Sequence, residues 1–183
     1  MLKIGPLSVG LHRTIRVDPE KTSSLPPSLG YFETYNVLDY KETCPKSWED
    51  NAVFIALHEK EALWISFGRP LGKFQPVPVA VLVGVGGINA LTGEKLKFSL
   101  EKDNYLVNPP QPWLDGWKNK EGTVYQFIAT EGLTVGEQLG ENKSGIDIIV
   151  FEAKEPEKLK LEPVPSEDIG TTCCSYGMAE MGI

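Results

Sequence analysis

The chain of 183 residues has few cysteines, few histidines and no cluster of positive charge. Its three cysteines, Cys44, Cys173 and Cys174, are odd in number, and two of them are adjacent. This pattern does not fit a disulfide framework and favours a reducing, cytoplasmic compartment. The Cys-x-x-Cys spacing of a zinc site is also missing, so the sequence predicts neither a metal nor a cofactor.

The balance of charge is acidic, with a formal net charge of -7 and a pI of about 4.9. Nucleic-acid binders present a basic stripe, so the charge argues against nucleic acid and against an anionic membrane surface as partners. The longest apolar run, residues 79–85, is shorter than the roughly 20 residues that a membrane-spanning helix requires. The partners that remain are an unknown small molecule or another protein.

Apolar residues recur mostly at every second position, which predicts β-strands. Within residues 79–85 both alternating faces are apolar, as is typical of a central strand that is buried on both sides. Residues 123–129 and 145–151 alternate clearly. Residues 2–17 and 31–37 are weaker strand candidates.

Two further segments predict local connections between strands. Residues 53–57 and 62–67 flank a polar turn at 58–61, which is the pattern of a hairpin. Gly86 and Gly87 follow the predicted central strand. They indicate a tight turn, because the third glycine and the following helix of a dinucleotide-binding fingerprint are missing.

Helix signals are sparse, since only residues 47–50 and 134–137 have the spacing of a capping box. We therefore predict a mainly β fold, either an antiparallel β-sandwich or a related barrel, with one or two short helices. An α+β arrangement is the second choice. Composition changes after residue 153, so we expect residues 1–153 to form the β-rich globular domain. Residues 154–183 are expected to be a linker and C-terminal tail, one that continues in longer relatives.

The densest aromatic segment is 108–117, NPPQPWLDGW, which holds three prolines and two tryptophans. Prolines keep its backbone extended, and Asp115 followed by a glycine is turn chemistry. We predict that Trp113 enters the core as a staple and that Asp115 accepts hydrogen bonds within the turn. The alternative is a binding site in which Trp113 or Trp117 stacks on a sugar ring or on a proline-rich peptide.

A set of short motifs occurs in a defined order along the chain. They are residues 13–16 (RTIR), 25–30 (LPPSLG), 61–67 (EALWISF), 86–94 (GGINALTGE), 111–116 (QPWLDG), 125–127 (YQF) and 134–139 (TVGEQL). In this order the chain resembles a family of uncharacterised microbial proteins that share the Pro-Trp-Leu-Asp-Gly motif followed by a Gln-Phe strand. The resemblance covers most of residues 10–180 and implies no particular activity, cofactor or catalytic residue.

The functional hypothesis is a non-catalytic, cytoplasmic binding or interaction module with aromatic anchors. Its candidate ligand-binding residues are Trp113, Asp115, Trp117 and Trp64. The alternative is a hydrolase that uses carboxylates or the thiol of Cys173 or Cys174. The sequence contains no recognisable catalytic motif that decides between the two.

Overall fold

A computed structural model describes residues 1–18, 24–68, 78–130 and 145–153. This part of the chain is mainly β, as predicted. In chain order its strands are β1 (Leu2–Ile4), β2 (Leu7–Thr14), β3 (Tyr35–Asn36), β4 (Val53–Phe54), β5 (Ala62–Phe67), β6 (Val79–Val85), β7 (Ile88–Asn89), β8 (Leu106–Asn108), β9 (Trp113–Leu114), β10 (Gly116–Lys118), β11 (Val124–Ile128) and β12 (Ile146–Glu152). A short 3-10 helix, Val37–Tyr40, follows β3.

The strands form two larger antiparallel sheets and one small one. The first sheet has the order β1-β2-β5-β11-β10, and β9 also pairs with β5, beside β11. In the second sheet β6 lies between β12 on one side and both β7 and β8 on the other. Strands β3 and β4 make a separate two-stranded sheet.

One core joins the inner faces of the two larger sheets, which gives the predicted sandwich-like, two-layer arrangement. Its buried residues are Leu7, Val9, Phe32, Leu63, Ile65, Phe67, Val79, Val81, Val83, Ala90, Leu106 and Phe127. The Asn108 amide adds a polar link, because it donates to the carbonyl oxygens of Phe67 (3.0 Å) and Gly68 (3.1 Å). Strand β8 of the second sheet is thereby tied to the end of β5 in the first.

The central strand is where the sequence places it, at Val79–Val85. Val81 and Val83 face the core, while Leu82 is fully buried on the opposite side of the sheet. Gly86 and Gly87 have φ angles of 57° and 83°, which side chains disfavour, and they form the predicted tight turn into β7. The strands predicted at 123–129 and 145–151 are also confirmed, as β11 and β12.

The predicted hairpin between residues 53–57 and 62–67 is wrong. Strand β4 pairs with β3, and the ring of Phe54 stacks on that of Tyr35 with centroids 5.4 Å apart. Strand β5 instead pairs with β2 along one edge and with β11 and β9 along the other. With both edges of β5 occupied by distant segments, no edge is left for its neighbour in sequence.

The helix predicted to begin at residues 47–50 is also wrong. Turns occupy this stretch, in which the Trp48 N–H donates to the Pro45 carbonyl (3.0 Å). The Trp48 ring packs against Phe54 at 5.7 Å between centroids, so tertiary contact decides the conformation. The other predicted helix start, 134–137, lies outside the described residues, as does the predicted tail at 154–183. Residues Met1–Ala153 belong to one compact unit.

Candidate functional site

An aromatic pair lies on the inner face of the first sheet, at the end of the sandwich. Trp117 of β10 is directly opposite Tyr125 of β11 in the strand register. Their rings stack with centroids 5.0 Å apart and planes 21° apart, and the Tyr125 residue is 43% exposed. Trp117 is half-buried and also packs against the core. The pair therefore presents a ring surface while its base is fixed by the fold.

This pair borders a cleft of about 740 Å³ between the two larger sheets. Leu63 and Phe127 line it from the first sheet, and Val85 and Ile146 line it from the second. The turn between β10 and β11 adds polar side chains to the lining, namely Asn119, Lys120 and Glu121. The cleft thus combines an apolar interior with a polar, partly charged border.

The backbone around Gly116 explains how Trp117 comes to face the cleft. Residues 113–114 pair with β5, whereas residues 116–118 pair with β11, so Asp115 marks a change of partner strand. At Gly116 the backbones of β10 and β11 are so close that a Cβ atom would collide with the Tyr125 carbonyl group. A glycine is therefore required at this position of the Pro-Trp-Leu-Asp-Gly motif.

Trp113 is not the predicted core staple, since the residue is 39% exposed and lies outside the core cluster. Its register partner is Ser66, which places it on the outer face of the first sheet. Asp115 is half-buried between β9 and β10, and the predicted turn hydrogen bond of its carboxylate is not found among the described residues. The prolines hold Trp113 in an extended strand, but the alternation of that strand directs its ring away from the core.

Trp64 lies on the same outer face, where it stacks on a histidine. It is opposite His12 in the register of β5 and β2, with ring centroids 3.7 Å apart and planes 4° apart. Trp64 is 9% exposed and His12 is 6% exposed. The Nε1 atom of Trp64 is buried, and it has no hydrogen-bond partner among the described residues, which is unusual for a buried donor.

His12 is the centre of a polar network that the sequence did not reveal. Its Nδ1 atom is 2.8 Å from the Ser28 hydroxyl, and its Nε2 atom is 2.8 Å from the Ser66 hydroxyl. The ring of Tyr31, a 54% exposed residue, lies over His12 with centroids 4.3 Å apart. Burial lowers the pKa of the His12 imidazole below its ordinary value, because the charged form is poorly solvated there.

Three of the four candidate residues therefore divide between two faces of one sheet, while Asp115 lies between β9 and β10. Trp117 belongs to the cleft, together with Tyr125, whereas Trp64 and Trp113 belong to the outer face. Sequence reasoning missed His12, Ser66 and Tyr125. In β2 the polar residues Ser8, His12 and Thr14 share one face, and this pattern is a signal for His12. Ser66 shares its face of β5 with Ala62 and Trp64, so no such pattern marks it.

Within residues 1–18, 24–68, 78–130 and 145–153, no group of three or more His, Cys, Asp or Glu side chains is arranged to hold a metal ion. The same segments contain no helix with the length and apolar character needed to cross a membrane. Cys44 is a free, half-buried thiol. Cys173 and Cys174, which were named for the hydrolase alternative, lie outside the described residues.

Comparison of the chain with protein-family models, with curated proteins and with solved structures finds no significant match. The family resemblance suggested by the order of the motifs therefore remains an expectation.

Proposed function

We propose that the protein is a binding module whose cleft is a non-catalytic site, and that the ligand of this cleft is a small, largely apolar molecule with a flat ring. The observation that carries this proposal is the cleft of about 740 Å³ bordered by the stacked pair Trp117 and Tyr125. Ligand pockets in proteins typically have volumes of about 300–1,000 Å³, with mostly apolar walls and a few polar groups that orient the ligand.

The lining of the cleft indicates the chemistry of the ligand. Val85 and Ile146 are half-buried and offer apolar surface, so the inner part of the ligand must be hydrophobic. The face of an aromatic pair favours a second flat ring in an offset or edge-on arrangement, worth about 0.5–1.5 kcal/mol beyond the area buried. Lys120 and Glu121 border the cleft and would meet a polar or charged substituent on the ligand.

We also propose that the protein is cytoplasmic, because its odd number of cysteines, two of them adjacent, does not fit a disulfide framework. The proposed ligand is not a nucleic acid, because the net charge of -7 repels a polyanion.

The test is a titration with 1-anilinonaphthalene-8-sulfonate, a probe with two aromatic ring systems and one anionic group. We expect a saturable rise in fluorescence at a stoichiometry of one, and we expect Trp117→Ala and Tyr125→Ala each to weaken binding by about tenfold, which corresponds to 1.4 kcal/mol. Trp113→Ala is the matched control, because it removes a tryptophan from the opposite face of the sheet. A cooperative urea denaturation curve verifies that each variant is folded before the titration.

Two results would overturn the proposal. One is the absence of saturable binding to the folded parent protein. The other is binding that Trp117→Ala and Tyr125→Ala leave unchanged, or that Trp113→Ala weakens equally, because the probe would then occupy another surface.

A further inference from the structure

The outer face of the first sheet contains a serine and a histidine in the geometry of a nucleophile and its base. The Oγ atom of Ser66 in β5 is 2.8 Å from the Nε2 atom of His12 in β2. An activated serine nucleophile requires a base within about 2.6–3.2 Å, which is itself oriented by a third group. Ser28 supplies that third contact, since its Oγ atom is 2.8 Å from His12 Nδ1.

The tautomer of His12 decides whether its Nε2 atom can accept the proton of the Ser66 hydroxyl. The Ser66 hydroxyl has a second acceptor within reach, the Gly10 carbonyl oxygen, but at 3.5 Å this contact is far longer than the 2.8 Å contact to His12. The 2.8 Å contact allows the Ser66 hydroxyl to donate to Nε2, and we assign His12 the tautomer in which it does so. A neutral imidazole that accepts at Nε2 carries its own proton on Nδ1 and donates it to Ser28.

The rest of the network is consistent with this tautomer. The Ser28 oxygen accepts the Gly30 N–H at 3.2 Å and has a second lone pair that can accept the Nδ1 proton of His12. Burial lowers the pKa of His12, which keeps the ring neutral and able to take a proton at neutral pH. Stacking on Trp64 fixes the plane of the ring.

We propose that Ser66 is a nucleophile for acyl transfer from activated esters, with His12 as its general base and Ser28 as a positioning residue. The substrate class is an aryl ester with a small acyl group. This inference is independent of the ligand proposed for the cleft, because Ser66 and Trp117 lie on opposite faces of the sheet.

The reaction proceeds in two steps, acylation of Ser66 and hydrolysis of the acyl-serine. Ser66 Oγ attacks the carbonyl carbon of the ester, and the Ser66 proton passes to His12 Nε2. The bond from the carbonyl carbon to the aryl oxygen then breaks, the phenol leaves with that proton, and an acyl-serine remains. Water next attacks the acyl carbon while the neutral His12 takes a proton from it at Nε2. The bond from the acyl carbon to Ser66 Oγ then breaks, the carboxylic acid leaves, and the proton on Nε2 returns to Ser66 Oγ.

The surroundings of Ser66 fit an aryl ester. Ser66 is half-buried, and its register partner Trp113 is 39% exposed, so a flat leaving group has an aromatic surface beside the hydroxyl. Tyr31 offers a second exposed ring, on the same side of Gly10 as Ser66. At Gly10 a Cβ atom would lie 2.6 Å from Ser66 Oγ and 2.7 Å from Tyr31 Cε1, so the close approach of these groups depends on that glycine.

The backbone near Ser66 limits the reaction to activated esters. The N–H groups of Phe67 and Gly68 donate to the carbonyl oxygens of Pro112 (2.7 Å) and Ser8 (2.7 Å), so neither is available to a developing oxyanion. Loss of one oxyanion donor costs an enzyme about 10²–10³-fold in rate, so esters with poor leaving groups and amides should not react.

The experiment is incubation of the full chain with p-nitrophenyl acetate, followed by intact-mass analysis and peptide mapping. We expect release of p-nitrophenol together with one acetyl group on Ser66. Ser66→Ala should abolish this label, and His12→Gln should slow it by about 100-fold, the lower limit for loss of a general base. Ser28→Ala should slow it as well, and Ser28→Thr, which keeps a hydroxyl, should restore the rate and its pH profile.

Controls separate a reactive serine from other causes of labelling. Ser8→Ala removes a half-buried serine of β2, the strand that contains His12, and should leave the label on Ser66 unchanged. If Ser66→Ala fails to fold, Ser66→Cys keeps a nucleophile in place, and its alkylation by iodoacetamide should depend on His12. Acetylation confined to lysines or the N-terminus, or labelling of Ser66 that His12→Gln does not slow, would overturn the proposal.

Discussion

The imidazole of His12 lies flat against the indole of Trp64, with the ring planes 4° apart. The two residues are direct register partners on neighbouring strands, so the stack is a consequence of the pairing of β2 with β5. The described side chains that pack around the imidazole are Ser28, Tyr31, Trp64 and Ser66, none of which is a carboxylate. Burial therefore acts on His12 without an opposing negative charge.

The first prediction is that the free energy of unfolding falls in mild acid because of His12. Burial lowers the pKa of His12 in the folded state, whereas the unfolded chain titrates near the ordinary value of about 6.5. Between these two values the unfolded state binds more protons, so stability rises with pH. The stabilising effect is complete above about pH 6.5 and is lost as pH falls from there toward the folded-state pKa.

Urea denaturation of the parent and of His12→Gln, compared at about pH 5 and about pH 8, measures this effect. The variant should lose less stability between the two conditions than the parent does. His58→Gln is the control, because it removes an exposed histidine and should keep the profile of the parent. Equal losses in the parent and His12→Gln would show that the imidazole does not contribute.

The second prediction is that the two tryptophans of the proline-rich segment differ in their effect on stability. Trp117 is half-buried against the core, so Trp117→Ala should cost about 2 kcal/mol, below the roughly 3–5 kcal/mol of a fully buried tryptophan. Trp113 is 39% exposed, and Trp113→Ala should change stability by no more than about 0.5 kcal/mol. Thermal melts of both variants decide the point. A larger loss for Trp113→Ala would restore the core-staple interpretation.

Strands with a strong local pattern were predictable from the sequence. Val79–Val85 was identified because both of its faces are apolar, and β11 and β12 because their alternation is regular. Pairing was less accessible, because the register partner of a strand need not be its neighbour in sequence. The predicted pairing of β4 with β5 failed for that reason, since β5 pairs with β2, whose residues lie about fifty positions earlier in the chain.

The candidate site was predictable only in part, for a related reason. Trp113 and Trp117 are four positions apart, and one uninterrupted strand would place both on the same face. The change of strand partner at Asp115 puts them on opposite faces, and no local pattern reports such a change. His12 and Ser66 are separated by 54 positions, so their contact depends on the register of the folded sheet.

The third prediction concerns the polar link between the two larger sheets. The Asn108 amide donates to two buried carbonyl oxygens, of Phe67 and Gly68. Asn108→Asp replaces the donor with a carboxylate that faces those oxygens, so we expect a loss of about 3 kcal/mol or more at neutral pH. Asn119→Asp is the matched control, because Oδ1 of Asn119 accepts the Thr123 N–H and an aspartate can do the same. Equal denaturation midpoints for the two variants would contradict the role of Asn108.

The fourth prediction tests the glycine that lets β10 reach β11. A Cβ atom at position 116 would overlap the Tyr125 carbonyl group, and this neighbour is backbone, which cannot rotate away as a side chain can. Gly116→Ala should therefore separate β10 from β11 and cost about 3 kcal/mol, at the upper end of overpacking effects. Since Trp117 and Tyr125 are cross-strand partners, the same change should weaken their stack. Near-ultraviolet circular dichroism and urea denaturation report the two effects together.

Lys118→Ala, at an exposed position of the same strand, should alter neither the aromatic signal nor the stability. A Gly116→Ala protein with the stability and the aromatic signal of the parent would mean that the two backbones are not in such close contact.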